Sequence, residues 1–262
     1  MEITVENMEA YLYASDKHKS QKRSGTDIPY FNHCLNVREF VLQFIEQQPN
    51  GAYDKVFAEN VALLHDVLED TNTTFGEIVK KFGSEIADAV KALTKNKQLD
   101  EDQQLLDSLQ RIAKQRKEVA LVKMADRIDN LSALNPVWDK DRAIWYVNQS
   151  LLIVDKLQQK DERMTNLLID QIEKYMDKIH DFEQKGGYMN FLQAKQGYLF
   201  AYDTSTGTTL KFVKGKWSLS EISYVELSRD EDIMQISQAD AKKIYKDENP
   251  QKFIDEFIKS LE

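Results

Sequence analysis

Residues 62–71 read ALLHDVLEDT, an apolar run that ends in one imidazole and three carboxylates, His65, Asp66, Glu69 and Asp70. In a helix over 57–70, His65 and Glu69 stand one turn apart on one face, and Asp66 and Asp70 one turn apart on the adjacent face. Further on, VKMADRIDNLSAL (122–134) sets Asp126 and Asn130 at the same spacing, on a helix whose Val122, Ala125, Ile128, Leu131 and Leu134 read as buried. Upstream, PYFNHC places His33 just after an extended Pro29-Tyr30 entry. Two imidazoles, a carboxylate beside one of them and a distant carboxylate on an apolar helix make a divalent metal set of His33, His65, Asp66 and Asp126. Such mixed nitrogen and oxygen ligation suits Mn²⁺, Fe²⁺ or Zn²⁺ better than Ca²⁺ or a thiolate-bound ion. The remaining carboxylates, Glu69 and Asp70, are then placed to handle protons. Taken singly, each residue also reads as structural, since an isolated helix histidine is usually a hydrogen-bonded packing residue and EDTNTT could be a solvated, capped loop. The joint pattern carries the chemistry.

Such a set needs rigid elements to hold it. From Met1 to Gln184 there are only four glycines, Gly25, Gly51, Gly76 and Gly83, and positions such as Met8, Leu12 and Ser15, or Phe40, Val41, Phe44 and Ile45, recur at helical spacing. That stretch is expected to be mostly short helices. Thr74 with Glu77 forms a capping-box pattern, Gly83 closes that helix, Ser84 caps the next, and Asn135-Pro136 stops the helix that holds Met124 to Leu134. After Gly186-Gly187 the texture changes. Residues 197–228 are rich in aromatic and β-branched residues, broken by Thr-Ser-Thr-Gly and Lys-Gly-Lys, the pattern of a small antiparallel meander with one buried face. Two short helices are expected after it, over Gln238–Tyr245 and Pro250–Leu261. The fold class is therefore mainly α, an all-helical domain over 1–185 followed by a small C-terminal α+β appendage over 186–262.

Composition limits the function classes. The 262 residues are 42% hydrophobic, with three Trp, eleven Tyr and twelve Phe, enough for a sizeable core. A formal net charge of −9 argues against broad attraction to nucleic acid or to an anionic membrane, while leaving room for a local basic pocket. The single cysteine, Cys34, excludes an internal disulfide and reads as a small buried residue. No signal-peptide pattern stands at the N-terminus, and no apolar run reaches the roughly 20 residues needed to cross a bilayer. A cytoplasmic protein is expected.

The order His33, then adjacent His65-Asp66, then Asp126 resembles the HD phosphohydrolase superfamily. Within it, HKSQKRSGTDIPYFNH (18–33), VALLHDVLEDTNTTFGEIVKKFGSEIADAVKALTK (61–95) and ALVKMADRIDNLSAL (120–134) resemble the hydrolase domain of the RelA/SpoT alarmone enzymes and the small alarmone hydrolases. The similarity extends over about residues 1–180. It implies a metal, commonly Mn²⁺, held by His33, His65, Asp66 and Asp126. It also implies an acid pair, Glu69 and Asp70, that polarises or deprotonates the attacking water, and an amide, Asn130, that organises the site. The implied reaction removes the 3′-pyrophosphate of ppGpp or pppGpp as pyrophosphate, leaving GDP or GTP.

The family keeps an arginine that packs on the guanine. Aligned on Ser-Gly that position is Lys22, and with a one-residue shift it is Arg23, whose planar guanidinium is the better stacking group. Tyr146 stands where small alarmone hydrolases carry an aromatic residue near the nucleotide, although Ile144, Trp145 and Val147 beside it also read as helix packing. His18 is expected to support the site from the first helix. Asn-His-Cys replaces the family's Asn-His-Pro at His33, Asp129 replaces an aromatic or His, and Ala133 replaces a Thr. The first changes packing after the ligand and spares the imidazole, the other two touch the ribose and base contacts, and the metal set is left intact. Other 3′-phosphorylated nucleotides, NADPH or a pyrophosphorylated RNA end are therefore alternative substrates. The segment after Gly187 is too short for a synthetase domain, so it is expected to pack, self-associate or bind a protein partner. A non-catalytic partner-binding module is the alternative outside enzymology.

Overall fold

The computed structural model describes residues 5–135, 138–184, 189–195, 198–203, 208–220, 233–236, 238–246 and 250. The chain divides into two compact units, Met1–Leu134 with Trp145–Tyr175, and Asn135–Ile144 with Met176–Glu262. Among the described residues ten helices come first: α1 (Val5–Lys17), α2 (Phe31–Glu46), α3 (Lys55–Leu64), α4 (Val67–Asp70), α5 (Phe75–Phe82), α6 (Ser84–Leu93), α7 (Glu101–Ile112), α8 (Lys117–Asn130), α9 (Lys140–Leu157) and α10 (Glu162–Gln184). They are followed by strands β1 (Met189–Ala194), β2 (Leu199–Asp203), β3 (Thr208–Val213), β4 (Lys216–Leu219) and β5 (Ile233–Ile236), and by helix α11 (Gln238–Tyr245).

The first unit is built around α3. Its sequence KVFAENVALL is apolar on nearly every side, and Phe57, Ala58, Val61, Ala62, Leu63 and Leu64 are all buried, as expected of a helix surrounded by others. It packs against α1, α2, α6 and α8. Asp54 starts it: the side chain accepts the Phe57 N–H at 3.0 Å. The one charge inside, Glu59, is compensated. It accepts from Arg38 Nε of α2 at 2.5 Å and from the Asn7 amide of α1, so one buried carboxylate ties three helices.

Several expectations shift in detail. Helix α1 is present, but Asn7, Ala10 and Ala14 are its buried positions, whereas Met8 and Leu12 are exposed. The period was readable; the face was not. The Thr74–Glu77 capping box forms, with Thr74 N–H donating to Glu77 Oε2 at 2.7 Å and Glu77 N–H to Thr74 Oγ1 at 3.3 Å. Gly83, at φ 85°, ends α5 and also precedes α6, so Ser84 is the first residue of α6 rather than its cap. The α8 helix ends at Asn130, before the expected stop at Asn135-Pro136. The Ser132 N–H bonds back only three residues to the Asp129 carbonyl at 3.0 Å, which tightens the last turn and ends the helix.

The second unit holds a five-stranded antiparallel sheet in the order β4-β3-β2-β1-β5. It begins at Met189, earlier than the expected 197, and β5 joins the outer edge of β1, pairing Phe191 with Ile236 and Ala194 with Ile233. The expectation of one buried face is exceeded. Leu199, Ala201, Leu210 and Trp217 pack with Ala241 and Tyr245 of α11. On the opposite face Phe200 is buried with Leu192, its cross-strand partner, and Ala194. Of the expected second helix, residues 251–261 lie outside the described residues, as does Tyr224 of the expected meander.

Among the described residues, no helix is long and apolar enough to cross a membrane.

Candidate functional site

The HD pair interrupts a helix instead of lying within one. After Leu64 the helix α3 stops, His65 and Asp66 form a turn, and α4 resumes at Val67. In an unbroken helix adjacent side chains diverge by about 100° and cannot meet. The break brings them together: His65 Nε2 lies 2.9 Å from Asp66 Oδ2. Continuity is kept by Asp70 N–H donating to the Asp66 carbonyl at 2.9 Å.

Helix α2 packs on both α3 and α8, and that meeting point assembles the rest. His33 Nε2 lies 3.2 Å from His65 Nε2, 3.2 Å from Asp126 Oδ1 and 3.5 Å from Asp66 Oδ2. His65 Nε2 is 3.9 Å from the same Asp126 oxygen. Ligand atoms of His33, His65 and Asp66 all lie within 4.8 Å of one another. The donor set fits a divalent cation on chemical grounds. Ala62 O accepts from His65 Nδ1 at 2.8 Å and the Asp129 carboxylate accepts from His33 Nδ1 at 2.6 Å. Both acceptors take the Nδ1 proton, so Nε2 of each ring is the atom left to a cation held among the rings and the two carboxylates, the cation displacing any proton shared there.

The electrostatics follow from crowding buried charge. Burial opposes protonation of His33, but hydrogen bonds to Asp126, Asp129 and Asp66 outweigh it and raise its pKa well above the ordinary value. Asp66 and Asp126 go the other way. Burial would raise each, yet His65 and His33 beside Asp66, and Lys123 and His33 beside Asp126, hold both below the usual carboxylate range. These carboxylates stay anionic, as metal ligands must.

The acid pair divides in character. Glu69 Oε2 accepts the Lys95 backbone N–H at 2.9 Å, and Glu69 Oε1 lies 3.3 Å from Lys95 Nζ. Asp70 faces Tyr30, whose hydroxyl lies 3.2 Å from Asp70 Oδ2 and 2.7 Å from Asp66 Oδ2. Burial, then Asp66 and Glu69, push the Asp70 pKa up. Asn130 donates from Nδ2 to Asp126 Oδ1 at 2.6 Å and accepts from Arg23 at 3.2 Å.

The two loop candidates separate. Arg23 reaches inward, donating to Asp129 Oδ2 at 2.6 Å as well as to Asn130. Lys22 points to the exposed Asp27 carboxylate at 2.6 Å. Tyr146 lines the cleft with its ring under the Arg127 guanidinium, 3.9 Å from the ring centroid. His18 is buried, its Nδ1 2.6 Å from Gln21 Oε1 and its ring 5.1 Å from that of Tyr30. Cys34 is fully buried.

Four groups were not picked out from sequence. Lys95, Lys123, Arg127 and Tyr30 all line the cleft with the acids. The signal for Lys123 was its position three residues before Asp126 on a helix that is otherwise buried, where a lone lysine requires a partner. It has one, Asp126 Oδ2 at 2.9 Å. Arg127 likewise is buried, donating to the Tyr146 carbonyl at 3.2 Å and Ser150 Oγ at 3.0 Å. Asp129 was read only as a departure from a family pattern, and the structure puts it against His33, Arg23 and Asn36.

Known proteins are similar to this chain over the helices that surround the site. The family model described as HD domain matches residues 10–153. Guanosine-3′,5′-bis(diphosphate) 3′-pyrophosphohydrolase MESH1 of Drosophila melanogaster is 32% identical over 184 residues, covering 68% of this chain and 94% of that protein. The protein of the same name from Xenopus tropicalis is 31% identical over 168 residues, 62% of this chain and 88% of that protein. The GTP pyrophosphokinase rsh of Brucella melitensis is 38% identical over 140 residues, but these are only 17% of its length. A solved structure described as a metazoan ortholog of SpoT that hydrolyses ppGpp superposes with a TM-score of 0.52 at 27% identity, covering 71% of this chain and 99% of that one. The match spans His33, His65, Asp66 and Asp126, and a divalent metal site is what that family implies. The chain belongs to the HD domain family, among the relatives of the guanosine-3′,5′-bis(diphosphate) 3′-pyrophosphohydrolases.

Proposed function

We propose that the protein is a metal-dependent hydrolase that removes the 3′-pyrophosphate of ppGpp and pppGpp, consuming one water and releasing pyrophosphate with GDP or GTP. The observation that carries this reading is the convergence of His33, His65, Asp66 and Asp126 beside Glu69 and Asp70, together with likeness to relatives named for that reaction over nearly their whole length.

His33, His65, Asp66 and Asp126 would hold the ion, with Mn²⁺ our assignment. The metal's contribution is Lewis acidity, which lowers the pKa of water and neutralises phosphate charge. Asp70, whose proton affinity is raised by its burial and its acidic neighbours, is suited to accept the proton of the attacking water. Glu69, held through the Lys95 backbone and side chain, orients that water. Asn130 has no proton to trade and positions Asp126 and Arg23 through its amide.

The cleft favours a phosphate-rich ligand. Lys95, Lys123 and Arg127 set cations among its acids, and such groups bind phosphate oxygens by charge-assisted hydrogen bonds. Its volume, about 120 Å³, is well below the few hundred Å³ of a site that encloses a whole ligand of nucleotide size. The reacting pyrophosphate would occupy it, with the nucleoside extending outward. Arg23 is pinned by its edge to Asp129 and Asn130, an attachment that leaves a planar face for stacking on guanine, with Tyr146 as an aromatic contact. Lys22, engaged by Asp27, has no role in this reading.

The test offers purified protein with Mn²⁺ a panel of ppGpp, pppGpp, NADPH and RNA with a pyrophosphorylated end. Release of pyrophosphate from ppGpp, abolished in Glu69→Ala, supports the proposal. Turnover of another panel member alone would replace the substrate, and turnover of none with metal bound would remove the enzyme reading.

A further inference from the structure

The two imidazoles of the site are oriented by unlike partners. His65 Nδ1 meets the neutral carbonyl of Ala62 at 2.8 Å, whereas His33 Nδ1 meets a carboxylate, Asp129 Oδ2, at 2.6 Å. A carboxylate on the far nitrogen fixes the tautomer, restrains ring rotation and makes the ligating nitrogen more basic. Asp129 is itself anchored. Asn36 Nδ2 of α2 donates to its other oxygen, Oδ1, at 2.9 Å, and Arg23 donates to Oδ2 at 2.6 Å.

Were Asp129 only a counter-ion for Arg23, its carboxylate would need no second contact on α2. Instead its two oxygens engage His33 and Asn36, three residues apart on one face of that helix. The carboxylate thus bridges α8 to the stretch of α2 that carries His33.

We propose that Asp129 is a positioning residue that tunes His33 as a metal ligand. The inference rests on the metal-site reading above. It assigns the only carboxylate found on the Nδ1 side of either imidazole, among the described residues, to metal affinity rather than to nucleotide binding.

The test measures the Mn²⁺ dissociation constant directly, from the electron paramagnetic resonance signal of the free ion, for the wild type, Asp129→Asn and Asn36→Ala. Asparagine keeps an acceptor oxygen and the shape but loses the charge, and the dissociation constant should rise by about 10- to 100-fold, the usual consequence of losing a histidine's outer partner. Turnover should return toward the wild-type value at saturating Mn²⁺. Asn36→Ala, at an exposed residue of α2, should raise the constant about threefold, the share of one hydrogen bond that only steadies the carboxylate. A folded Asp129→Asn protein with wild-type Mn²⁺ affinity overturns the inference. If that variant fails to fold, an unchanged constant in Asn36→Ala overturns it. Absence of Mn²⁺ binding by the wild type would sink the metal reading itself, and this inference with it.

Discussion

The two units of the molecule bury different things. The sheet with α11 closes over apolar side chains, Leu199, Ala201, Leu210, Trp217, Ala241 and Tyr245, and among its described residues only Thr209 is both polar and buried. The helical unit buries His18, His33, Arg38, Glu59, His65, Glu118, Lys123, Asp126 and Arg127. Charge inside a protein is costly unless it is paired. Arg38 with Glu59 explains itself as a clasp between helices, but His33, His65 and Asp126 crowd around one point with Asp66 at its edge. Stability alone would be served better by the sheet's solution. The lesson is that the helical unit carries charge for chemistry, and the sheet unit is built for packing.

That contrast is breakable in order of effect. His65→Ala should lower ppGpp turnover by about 10³-fold or more, roughly 4 kcal/mol of barrier, measured by pyrophosphate release at saturating Mn²⁺. Its thermal unfolding should change little. Trp217→Ala should do the reverse, destabilising the sheet unit by about 3 kcal/mol through the cavity it leaves, seen in thermal unfolding followed by circular dichroism. Hydrolysis by the folded protein should persist, since every proposed site residue lies in the helical unit.

Smaller changes sharpen the same contrast. Lys95→Ala should raise KM for ppGpp about tenfold, some 1.4 kcal/mol, with inorganic pyrophosphate inhibition weakened in parallel. Asp54→Ala should cost about 1 kcal/mol by uncapping α3. Its carboxyl is held below the usual range by the Phe57 N–H and then by Arg116, against an opposing effect of burial. The stabilisation is therefore present above the ordinary carboxylate pKa and lost as pH falls through the lowered value. Acid titration of unfolding should show that loss in the wild type and not in Asp54→Ala.

What could be read in the sequence depended on range. The proximity of His33, His65, Asp66 and Asp126 was legible from their order and from the apolar neighbours that had to face inward. The capping box at Thr74 was legible because it is local. The break at His65-Asp66 was not, because α3 and α4 together keep a helical pattern, and only packing between α2 and α8 requires the adjacent pair to meet. The contacts of Asp129 were hidden for a related reason. Its sequence neighbours Ile128 and Asn130 say nothing of Asn36 or His33, which reach it across the interface of two helices. The spacing of Met8, Leu12 and Ser15 showed a helix but not its buried face, because the buried Asn7, Ala10 and Ala14 are small or polar, while the larger Met8 and Leu12 are left in solvent. Strand β5 escaped because it is four residues long and pairs with β1 at long range, so propensity had little to register.

The central claim is tested most directly by ³¹P nuclear magnetic resonance of ppGpp incubated with the protein and Mn²⁺. The account predicts that the 3′-diphosphate signals disappear as those of GDP and pyrophosphate grow in equal amounts, that chelation stops the reaction, and that His65→Ala protein leaves ppGpp intact. Persistence of the 3′-diphosphate signals with Mn²⁺ bound to the wild type, or release of pyrophosphate by His65→Ala at the wild-type rate, would contradict it.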